Sequence, residues 1–427
     1  PTLVRRGYPV ARIPCRLRRA KGEVMKILFA DALPEAFIDT LRERGDDCVV
    51  SPQLDGDDLP DAIGDADVLI VRSTEVTAET IGRAENLGLV VRSGAGTNTI
   101  DCQAAADAGV YVCNVPGTNA VAVAELTMGL LLAIDRHIAD ATSDLHDGIW
   151  NKKVYSRADG LLGKTLGIVG VGEIGLAVAE RARCFGMSVV AVRKTERNPD
   201  TEARIRSIGI RLVDHLDDLL DESDVVSIHV PGGPHTVGLV DTGFLAKMRP
   251  GAILLNTSRG EVVDEAALLA AIDEKGIRAG LDVFCGEPDQ GSGKFTSELA
   301  SNPSVVGTHH IGASTQQAQD ATSAGTIEVI EAYRDGDLLN CVNVVHTRLG
   351  TSTITIRHYD RVGVLAAVFE DLRKSEINVQ TMQNKVFEGE TAAVAVIDVS
   401  GEVPEKLTDR LACLDHVIRV RVTHHNR

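Results

Sequence analysis

The stretch that decides the fold is residues 165–186, TLGIVGVGEIGLAVAERARCFG. Its aliphatic start, TLGIV, predicts a buried strand, and the segment after the loop, LAVAERARC, predicts a helix. Between them lie Gly170, Gly172 and Gly175 in a G-x-G-x-x-G pattern. In this context the first glycine allows a tight turn, the second lets backbone approach a pyrophosphate, and the third lets the helix pack on the strand. The stretch therefore predicts a dinucleotide-binding βα unit.

Aliphatic segments that predict parallel strands lie on both sides of this unit. Downstream they occupy residues 188–192, 224–230, 252–258, 279–284 and 304–310, and upstream residues 25–31, 66–73, 87–94 and 110–116. Helical stretches separate them, and one long helix is predicted over residues 120–147. Because buried parallel strands are aliphatic runs joined by crossover helices, the pattern predicts an α/β protein with two doubly wound, Rossmann-like lobes. We expect the first lobe to span residues 25–119, completed by a helix at 314–336, and the second to span residues 120–310.

The pattern changes near the C-terminal end. After an expected linker at residues 337–350, residues 351–424 alternate in the order strand, helix, strand, strand, helix, strand. That order predicts a separate ferredoxin-like βαββαβ domain.

Composition limits the possible partners. The 427 residues carry a formal net charge of −17, which makes nucleic acid or an anionic membrane surface a poor partner. No apolar run approaches the ~18–20 residues of a membrane span. The eight cysteines are scattered and form no C-x-x-C pair. We therefore expect no metal site and a reducing, cytoplasmic environment.

The first 24 residues differ in charge from the rest. They contain seven Lys or Arg residues against one Glu. We expect a disordered basic leader, or translated sequence upstream of a start at Met25; an Arg-rich transit peptide is the alternative.

Three stretches of the second lobe carry candidate catalytic residues, and each follows a predicted strand. Arg259, Glu287 and His310 are the candidates. Hydride transfer to or from a 2-keto acid needs a proton donor for the carbonyl oxygen and a cation for the carboxylate. Histidine titrates in the useful range, a neighbouring carboxylate favours its protonated form, and arginine grips a carboxylate with a planar fork.

With this ordered set the chain, from Met25 to about Val345, resembles the D-isomer-specific 2-hydroxyacid dehydrogenase family. The resemblance implies that Arg259 binds the substrate carboxylate and carbonyl, that His310 is the acid/base, and that Glu287 keeps His310 protonated. It implies a substrate-binding first lobe and a dinucleotide-binding second lobe. It also implies cofactor contacts from Glu173, Ile174, Thr257, Ser258 and Asp282, beside the three glycines. The family usually has a proline before the catalytic histidine, where this chain has His309.

The cofactor expected from the resemblance is NAD. However, Arg193 stands where the family usually has an acidic residue for the adenosine ribose, and an arginine there can accommodate the 2′-phosphate of NADP. The sequence leaves two interpretations of Arg193 open: a contact for NADP, or a solvated cation.

Candidate substrate ligands lie in the first lobe. Arg72 and Ser73 end one predicted strand, and Arg92 and Gly94 end the next. Two arginines with exposed backbone N–H groups suit a small molecule with two anionic ends. Lys152 lies in a stretch that resembles one supplying a further cation in members that act on phosphoglycerate; a solvated lysine is the alternative.

The C-terminal domain resembles ACT ligand-sensing domains. By that resemblance His358, Asp360 and Asn378 match effector-binding positions of serine-sensing members. Such domains usually pair edge to edge, which implies a homodimer or homotetramer with L-serine as a possible effector. Asp360 replaces the usual asparagine, and a purely structural role in dimerisation is the competing interpretation.

Together the resemblances imply oxidation of 3-phosphoglycerate by NAD(P)+ to 3-phosphohydroxypyruvate, the first step of phosphorylated L-serine biosynthesis. Two alternatives remain open. One is an NADPH-preferring glyoxylate or hydroxypyruvate reductase, and the other is a redox-sensing, corepressor-like scaffold on the same fold.

Overall fold

A computed structural model of the chain describes residues 24–195, 197–288, 293–345 and 349–425. It divides into two units, Pro1–Asn343 and Val344–Arg427. The predicted basic leader lies outside the described residues except for Val24.

The first lobe is built on a sheet of five parallel strands. They are β1 (Lys26–Phe29), β2 (Asp47–Val50), β3 (Val68–Val71), β4 (Leu89–Arg92) and β5 (Tyr111–Asn114), in the order β2-β1-β3-β4-β5. The crossover helices are α1 (Glu35–Glu43), α2 (Leu59–Ala62), α3 (Ala78–Arg83) and α4 (Cys102–Asp107). All four residues of β3 are buried, as expected for a central strand with both faces covered.

The second lobe contains a sheet of seven parallel strands. They are β6 (Thr165–Val169), β7 (Ser188–Val192), β8 (Arg211–Val213), β9 (Val225–Ile228), β10 (Ile253–Asn256), β11 (Arg278–Leu281) and β12 (Val305–Gly307), in the order β12-β11-β10-β9-β6-β7-β8. The strand order reverses between β6 and β9, and doubly wound sheets bind ligands beyond the carboxyl ends of the strands at such a switch point.

The helices around this sheet come from one continuous region. They are α5 (Ala120–Arg136), α6 (Ile138–His146), α7 (Lys152–Tyr155), α8 (Glu173–Cys184), α9 (Pro199–Ile208), α10 (Leu216–Glu222), α11 (Thr242–Lys247) and α12 (Glu265–Lys275). The next helix, α13 (Gln316–Arg334), returns to the first lobe, where Val329 and Ile330 join the buried core formed by β1, β3 and β4.

One local prediction was wrong, and two strands were not predicted. The single helix expected over residues 120–147 is two helices, because His137 adopts a left-handed conformation with φ of +53° and ends α5. Strands β2 and β8 were missed. Both are short edge strands that begin with a charged residue, Asp47 and Arg211, so neither shows the aliphatic run of a central strand.

The C-terminal unit has four antiparallel strands and two helices. The elements are β13 (Ser352–Tyr359), α14 (Val364–Lys374), β14 (Asn378–Val386), β15 (Ala392–Ser400), α15 (Glu405–Ala412) and β16 (Val417–His424), with the sheet order β14-β15-β13-β16. The predicted fold class, two doubly wound lobes followed by a βαββαβ domain, is confirmed. Among the described residues, no helix combines the length and apolar character needed to cross a bilayer.

Candidate active site

A cleft of about 2090 Å³ opens between the two lobes of the first unit. Its walls are mainly loops that follow the carboxyl ends of strands, namely those after β3 and β4 in the first lobe and after β9, β10, β11 and β12 in the second. Several of the predicted site residues line it: Arg72, Ser73, Arg92, Gly94, Ile174, Thr257, Ser258, Arg259, Asp282, Glu287 and His310.

The glycine loop between β6 and α8 leaves open space where a pyrophosphate would lie. A Cβ on Gly170, whose φ is +102°, would lie 2.3 Å from the carbonyl oxygen of His229, and a Cβ on Gly175 would lie 2.2 Å from the carbonyl oxygen of Gly170. A Cβ on Gly172 would meet nothing within 4 Å. The two outer glycines are therefore required by packing. Gly172 directly precedes α8, at the helix N-terminus, where backbone N–H groups favour anions. The loop fits a dinucleotide.

His310 and Glu287 form a hydrogen-bonded pair in the cleft. Nδ1 of His310 donates to Oε2 of Glu287 at 2.7 Å, and the other carboxylate oxygen accepts from the backbone N–H of Phe284 at 2.8 Å. The hydrogen bond to Glu287 raises the pKa of His310 above its usual value, against the opposing effect of burial. Burial alone would raise the pKa of Glu287, but the bonds from His310 and Phe284 hold it below its usual value. This arrangement leaves Nε2 of His310 to exchange a proton with a bound molecule.

Three guanidinium groups converge near this pair. Arg72, Arg92 and Arg259 all line the cleft. Burial, and then repulsion from Arg259 and Arg72, lowers the pKa of Arg92 to about 10. Nε of Arg92 is buried without a hydrogen-bond partner among the described residues. Like charges are held together at a free-energy cost that an anion would relieve, so the cluster is suited to a ligand with more than one negative charge.

Known proteins that are similar to this chain identify its family. Residues 128–312 match the family described as D-isomer specific 2-hydroxyacid dehydrogenase, NAD binding domain. The chain is 33% identical over 408 residues to D-3-phosphoglycerate dehydrogenase of Escherichia coli K12, covering 94% of this chain and 98% of that protein. The chain belongs to the D-isomer specific 2-hydroxyacid dehydrogenase family. A nicotinamide cofactor of the NAD(H) type goes with this membership.

Other members of the family differ in length and in the substrates they are named for. D-3-phosphoglycerate dehydrogenase of Methanocaldococcus jannaschii is 39% identical over 334 residues, or 77% of this chain, which spans only 62% of that protein. Hydroxypyruvate reductase of Thermotoga maritima is 43% identical over 284 residues, which are 66% of this chain and 89% of that protein. Among solved structures, the TT0316 protein of Thermus thermophilus is similar with a TM-score of 0.66 and 34% identity, over 74% of this chain and all of that one.

Within this family fold, Asp282 lies behind the catalytic candidates. It is 1% exposed. Its carboxylate accepts hydrogen bonds from the Thr308 hydroxyl at 2.6 Å and from the N–H groups of Ile311 and Gly312 at 2.9 and 2.8 Å. These bonds hold the loop in which His310 adopts a left-handed φ of +52°. Asp282 was predicted only as a cofactor contact, so this positioning role is an addition.

Two further positioning residues were missed by the sequence analysis. Asn256, fully buried at the end of β10, accepts from the N–H of Ser258 at 3.0 Å and donates to the carbonyl of Arg259 at 2.9 Å. Asp31, at the end of β1, accepts from the N–H groups of Arg72 and Thr74 at 2.6 and 3.1 Å. Burial opposes the charge on Asp31, but these bonds and the Ser73 hydroxyl keep its pKa below the usual value.

Four predicted cofactor and substrate residues have different surroundings. Thr257 and Ser258 are buried, and the Thr257 hydroxyl lies 3.0 Å from that of Thr127. Glu173, at the start of α8, pairs with Arg204 at 2.7 Å. Lys152 is exposed at the start of α7 and is not among the described residues that line the cleft.

Arg193 directly follows β7. In the sheet β7 is the neighbour of β6, the strand that leads into the glycine loop. Its Nε donates to Asp214 at 3.0 Å, and its side chain is 58% exposed. A second arginine, Arg197, donates from Nη2 to the carbonyl of Val192 at 3.0 Å, and its Nη1 is buried with no partner among the described residues. Two guanidinium groups therefore lie at the carboxyl end of β7.

The three predicted effector residues belong to the C-terminal unit. His358 is 1% exposed, and both ring nitrogens are engaged: Nδ1 lies 2.8 Å from the carbonyl oxygen of Tyr359, and Nε2 lies 3.1 Å from Oδ1 of Asn384. Asp360 and Asn378 are exposed.

Proposed function

We propose that the chain oxidises 3-phosphoglycerate with NAD(P)+ to 3-phosphohydroxypyruvate, the first step of phosphorylated L-serine biosynthesis. The observation that carries the proposal is the convergence of Arg72, Arg92 and Arg259 beside the His310–Glu287 pair in one cleft. A 2-hydroxy acid with a phosphate at its other end has two anionic groups for these cations. The match to D-3-phosphoglycerate dehydrogenases along most of the chain supports the same substrate.

In this proposal His310 is the acid/base. Its Nε2 takes the proton of the C2 hydroxyl as the hydride leaves C2, and returns it in the reverse reaction. Glu287 stabilises the resulting imidazolium through the Nδ1 hydrogen bond. Arg259 holds the substrate carboxylate and the oxygen on C2, where its charge stabilises the developing alkoxide.

The remaining residues have supporting roles in the proposal. Residues 25–119 with 314–336 form the substrate lobe, in which Arg72, Ser73, Arg92 and Gly94 bind the phosphorylated end. Residues 120–310 form the cofactor lobe. A bound nicotinamide would supply the acceptor for the hydride of C2. The glycine loop, with Glu173 and Ile174, would bind the pyrophosphate of the cofactor. Thr257, Ser258 and Asp282 would lie on the nicotinamide side.

The proposal is tested by initial rates of cofactor oxidation with two keto acids. Protein starting at Met25 is given 3-phosphohydroxypyruvate or unphosphorylated hydroxypyruvate, each with NADH and with NADPH. Charge-assisted hydrogen bonds to a phosphate contribute about 1.5–3 kcal/mol. We therefore expect kcat/KM for 3-phosphohydroxypyruvate to exceed that for hydroxypyruvate by roughly 10- to 100-fold. Equal or faster reduction of hydroxypyruvate would overturn the assignment.

A second candidate function is reduction of hydroxypyruvate or glyoxylate with NADPH. It is favoured by the 43% identity to a hydroxypyruvate reductase and by Arg193. The same acid/base pair serves that chemistry. The C-terminal unit argues against it, because a sensing domain fits a biosynthetic step better than a general reductase.

The Glu287–His310 bond predicts a shift in pH dependence for Glu287→Gln. Reduction of the keto acid requires protonated His310, and its rate therefore falls as pH rises through the His310 pKa. Because Glu287 raises that pKa, its loss should move the alkaline limb of kcat/KM to lower pH. The profile is measured from about pH 6 to about pH 9.5 in the reductive direction.

Glu265→Gln is the matched control for this profile. Glu265 accepts from the N–H of Cys285 at 2.8 Å, close to the same loop, but it is not a hydrogen-bond partner of His310. Its alkaline limb should coincide with that of the unmodified protein. A Glu287→Gln profile that did not move would show that His310 is not the group titrating there.

Arg193 is expected to influence the choice between NADH and NADPH. We propose that Arg193 and Arg197 bind the 2′-phosphate of NADP(H), so that NADPH is accepted beside NADH. Arg193→Ala should raise the ratio of kcat/KM for NADH over NADPH by roughly 10- to 100-fold, because a charge-assisted bond to phosphate contributes about 1.5–3 kcal/mol.

Arg211→Ala is the control for this substitution. Arg211 is also 58% exposed and also pairs with a carboxylate, that of Glu222, but it lies at the opposite end of β8. Its cofactor ratio should match that of the unmodified protein. If Arg193→Ala leaves the NADH-to-NADPH ratio of kcat/KM unchanged, Arg193 does not bind the cofactor and is only a solvated cation.

We propose that the C-terminal unit, residues 351–424, binds L-serine at Asp360 and Asn378 and regulates the enzyme; a structural role in dimerisation is the competing proposal. His358, the third predicted effector residue, is buried and bonds to the Tyr359 carbonyl and to Asn384, so in this proposal it supports the site without contacting serine. Titration calorimetry with L-serine distinguishes the two roles, because Asn378→Ala should lose the binding heat that the unmodified chain shows. A chain that takes up no serine would favour the structural role.

We also propose a homodimer or homotetramer, with Lys152 supplied to the substrate site from its exposed segment. Two observations support assembly through residues 138–155. Helix α6 has no buried residue, and Trp150 is 81% exposed.

A further inference from the structure

Two buried cysteines face each other at the edge of the first sheet. Residues 340–342 run antiparallel to β5, so that Cys341 lies opposite Cys113. The backbone bonds flank this pair: the N–H of Asn114 donates to the carbonyl of Asn340 at 3.3 Å, and the N–H of Val342 donates to that of Val112 at 2.8 Å. Cys113 and Cys341 therefore form a non-hydrogen-bonded antiparallel pair.

That position brings side chains especially close. The Cα atoms of such a pair are typically ~4.5 Å apart and their side chains lie on the same face. Disulfides form at Cα separations of about 4.4–6.8 Å. After burial, the neighbouring Cys341 raises the pKa of Cys113, and the Cys341 thiol itself donates to Oδ1 of Asn343 at 3.3 Å.

The surroundings hold both thiols in place. Cys113 is fully buried and Cys341 is 6% exposed, and both belong to the core that β1, β3 and α13 share. Asn343 fixes the paired segment: its Oδ1 accepts from the N–H of Val112 at 2.9 Å and its amide donates to the carbonyl of Val110 at 2.8 Å. Residues 337–350 were predicted to be a linker, but residues 340–343 are anchored to β5.

We propose that Cys113 and Cys341 are a disulfide-forming pair that is oxidised by exchange with a low-molecular-weight disulfide such as oxidised glutathione. One protein thiolate attacks the glutathione disulfide and releases one glutathione thiolate. The second protein thiolate then attacks the mixed disulfide and releases the other. The two protein thiols lose two electrons and two protons, and one glutathione disulfide becomes two glutathiones.

The bond would tie the chain just ahead of the C-terminal unit to the first sheet. It would close a loop from residue 113 to residue 341, and cross-links over such long loops restrict the unfolded chain most strongly. Burial and the neighbouring Cys341 raise the pKa of Cys113 to about 12. Because the thiolate is the reacting form, exchange is slow at neutral pH and calls for incubation over hours.

The full chain is incubated in glutathione buffers from fully reduced to fully oxidised. It is then acid-quenched, unfolded, alkylated and digested. We expect mass spectrometry to find one cross-linked peptide pair joining Cys113 to Cys341, which forms as the buffer becomes oxidising and disappears after dithiothreitol treatment. Free, alkylated Cys113 and Cys341 in the fully oxidised buffer would overturn the proposal.

Cys102→Ser is the matched variant. Cys102, at the start of α4, is a half-buried thiol near enough to Cys341 for the charge of Cys341 to raise its pKa, after the larger effect of burial. The Cys113–Cys341 cross-link should form in this variant as in the unmodified chain, and should be absent from Cys113→Ser. A cross-link from Cys102 to Cys341 in the unmodified chain, in place of the expected one, would also overturn the proposal.

Discussion

His310→Asn should lower kcat for oxidation of the 2-hydroxy acid by about 10²- to 10⁴-fold, the range that a positioned acid/base supplies. Asparagine keeps a polar side chain of similar reach but cannot take the hydroxyl proton. KM should change little, because the anionic ends of the substrate are bound by the arginine cluster. Steady-state kinetics in both directions, with saturating cofactor, measure the effect.

His309→Asn separates the two adjacent histidines. His309 also lines the cleft, but the bond to a carboxylate and the left-handed backbone belong to His310. We expect His309→Asn to stay within a few-fold of the unmodified enzyme. If it loses activity as severely as His310→Asn, the assignment of the acid/base is wrong. A His310→Asn protein that kept every biological role would instead favour the scaffold alternative.

The glycine loop and the catalytic candidates could be predicted because their signals are local in sequence. A Cβ at Gly170 or Gly175 would lie only 2.3 or 2.2 Å from a backbone carbonyl oxygen, so no larger residue fits at either position. The G-x-G-x-x-G spacing predicts both glycines. Each catalytic candidate follows a strand of one parallel sheet. Since the carboxyl ends of such strands share an edge, separate stretches of sequence could be assigned to one cleft.

The residues that position this site could not be predicted in the same way. Asp31 acts by accepting the backbone N–H groups of Arg72 and Thr74, which approach it only in the folded chain, whereas Asn256 bonds to Ser258 and Arg259 in the turn that directly follows it. A carboxylate or amide at a strand end has no sequence mark that distinguishes this role from a solvated side chain. The same limit applies to Cys113 and Cys341, which are 228 residues apart and meet because residues 340–342 add to the edge of the sheet.

The helix break at His137 has another origin. Helix α5 buries ten of its residues, and α6 buries none. The apolar pattern over residues 120–147 continues although the chain leaves the core of the lobe after Arg136. Exposed apolar residues such as Ile138 and Leu145 keep the periodicity of a buried helix without being buried in the single chain. Hydrophobic periodicity therefore predicted the helical state of this segment but not its packing.

Arg259→Lys should lower kcat/KM by about 10²- to 10³-fold, comparable with the loss of one donor to a developing oxyanion. Lysine keeps the positive charge but is a point donor that cannot grip a carboxylate with two parallel N–H groups and reach the C2 oxygen together. Most of the loss should be in kcat, because the contact to the C2 oxygen strengthens only as charge develops there. Arg249→Lys is the control, because it retains a cation beside Asp224 at the amino ends of the strands, away from the cleft. It should show no loss of kcat/KM.

The substrate dependence of this loss distinguishes the roles within the arginine cluster. Arg259 is proposed to bind the carboxylate, which 3-phosphohydroxypyruvate and hydroxypyruvate share, so Arg259→Lys should reduce kcat/KM for both by the same factor. Arg72→Ala, at the other strand end, should reduce it for the phosphorylated acid alone. The reverse result, with Arg259 affecting only the phosphorylated acid, would exchange the two anion sites and turn the substrate around. In that orientation Nε2 of His310 would no longer face the C2 oxygen, and the proposed proton transfer would fail with it.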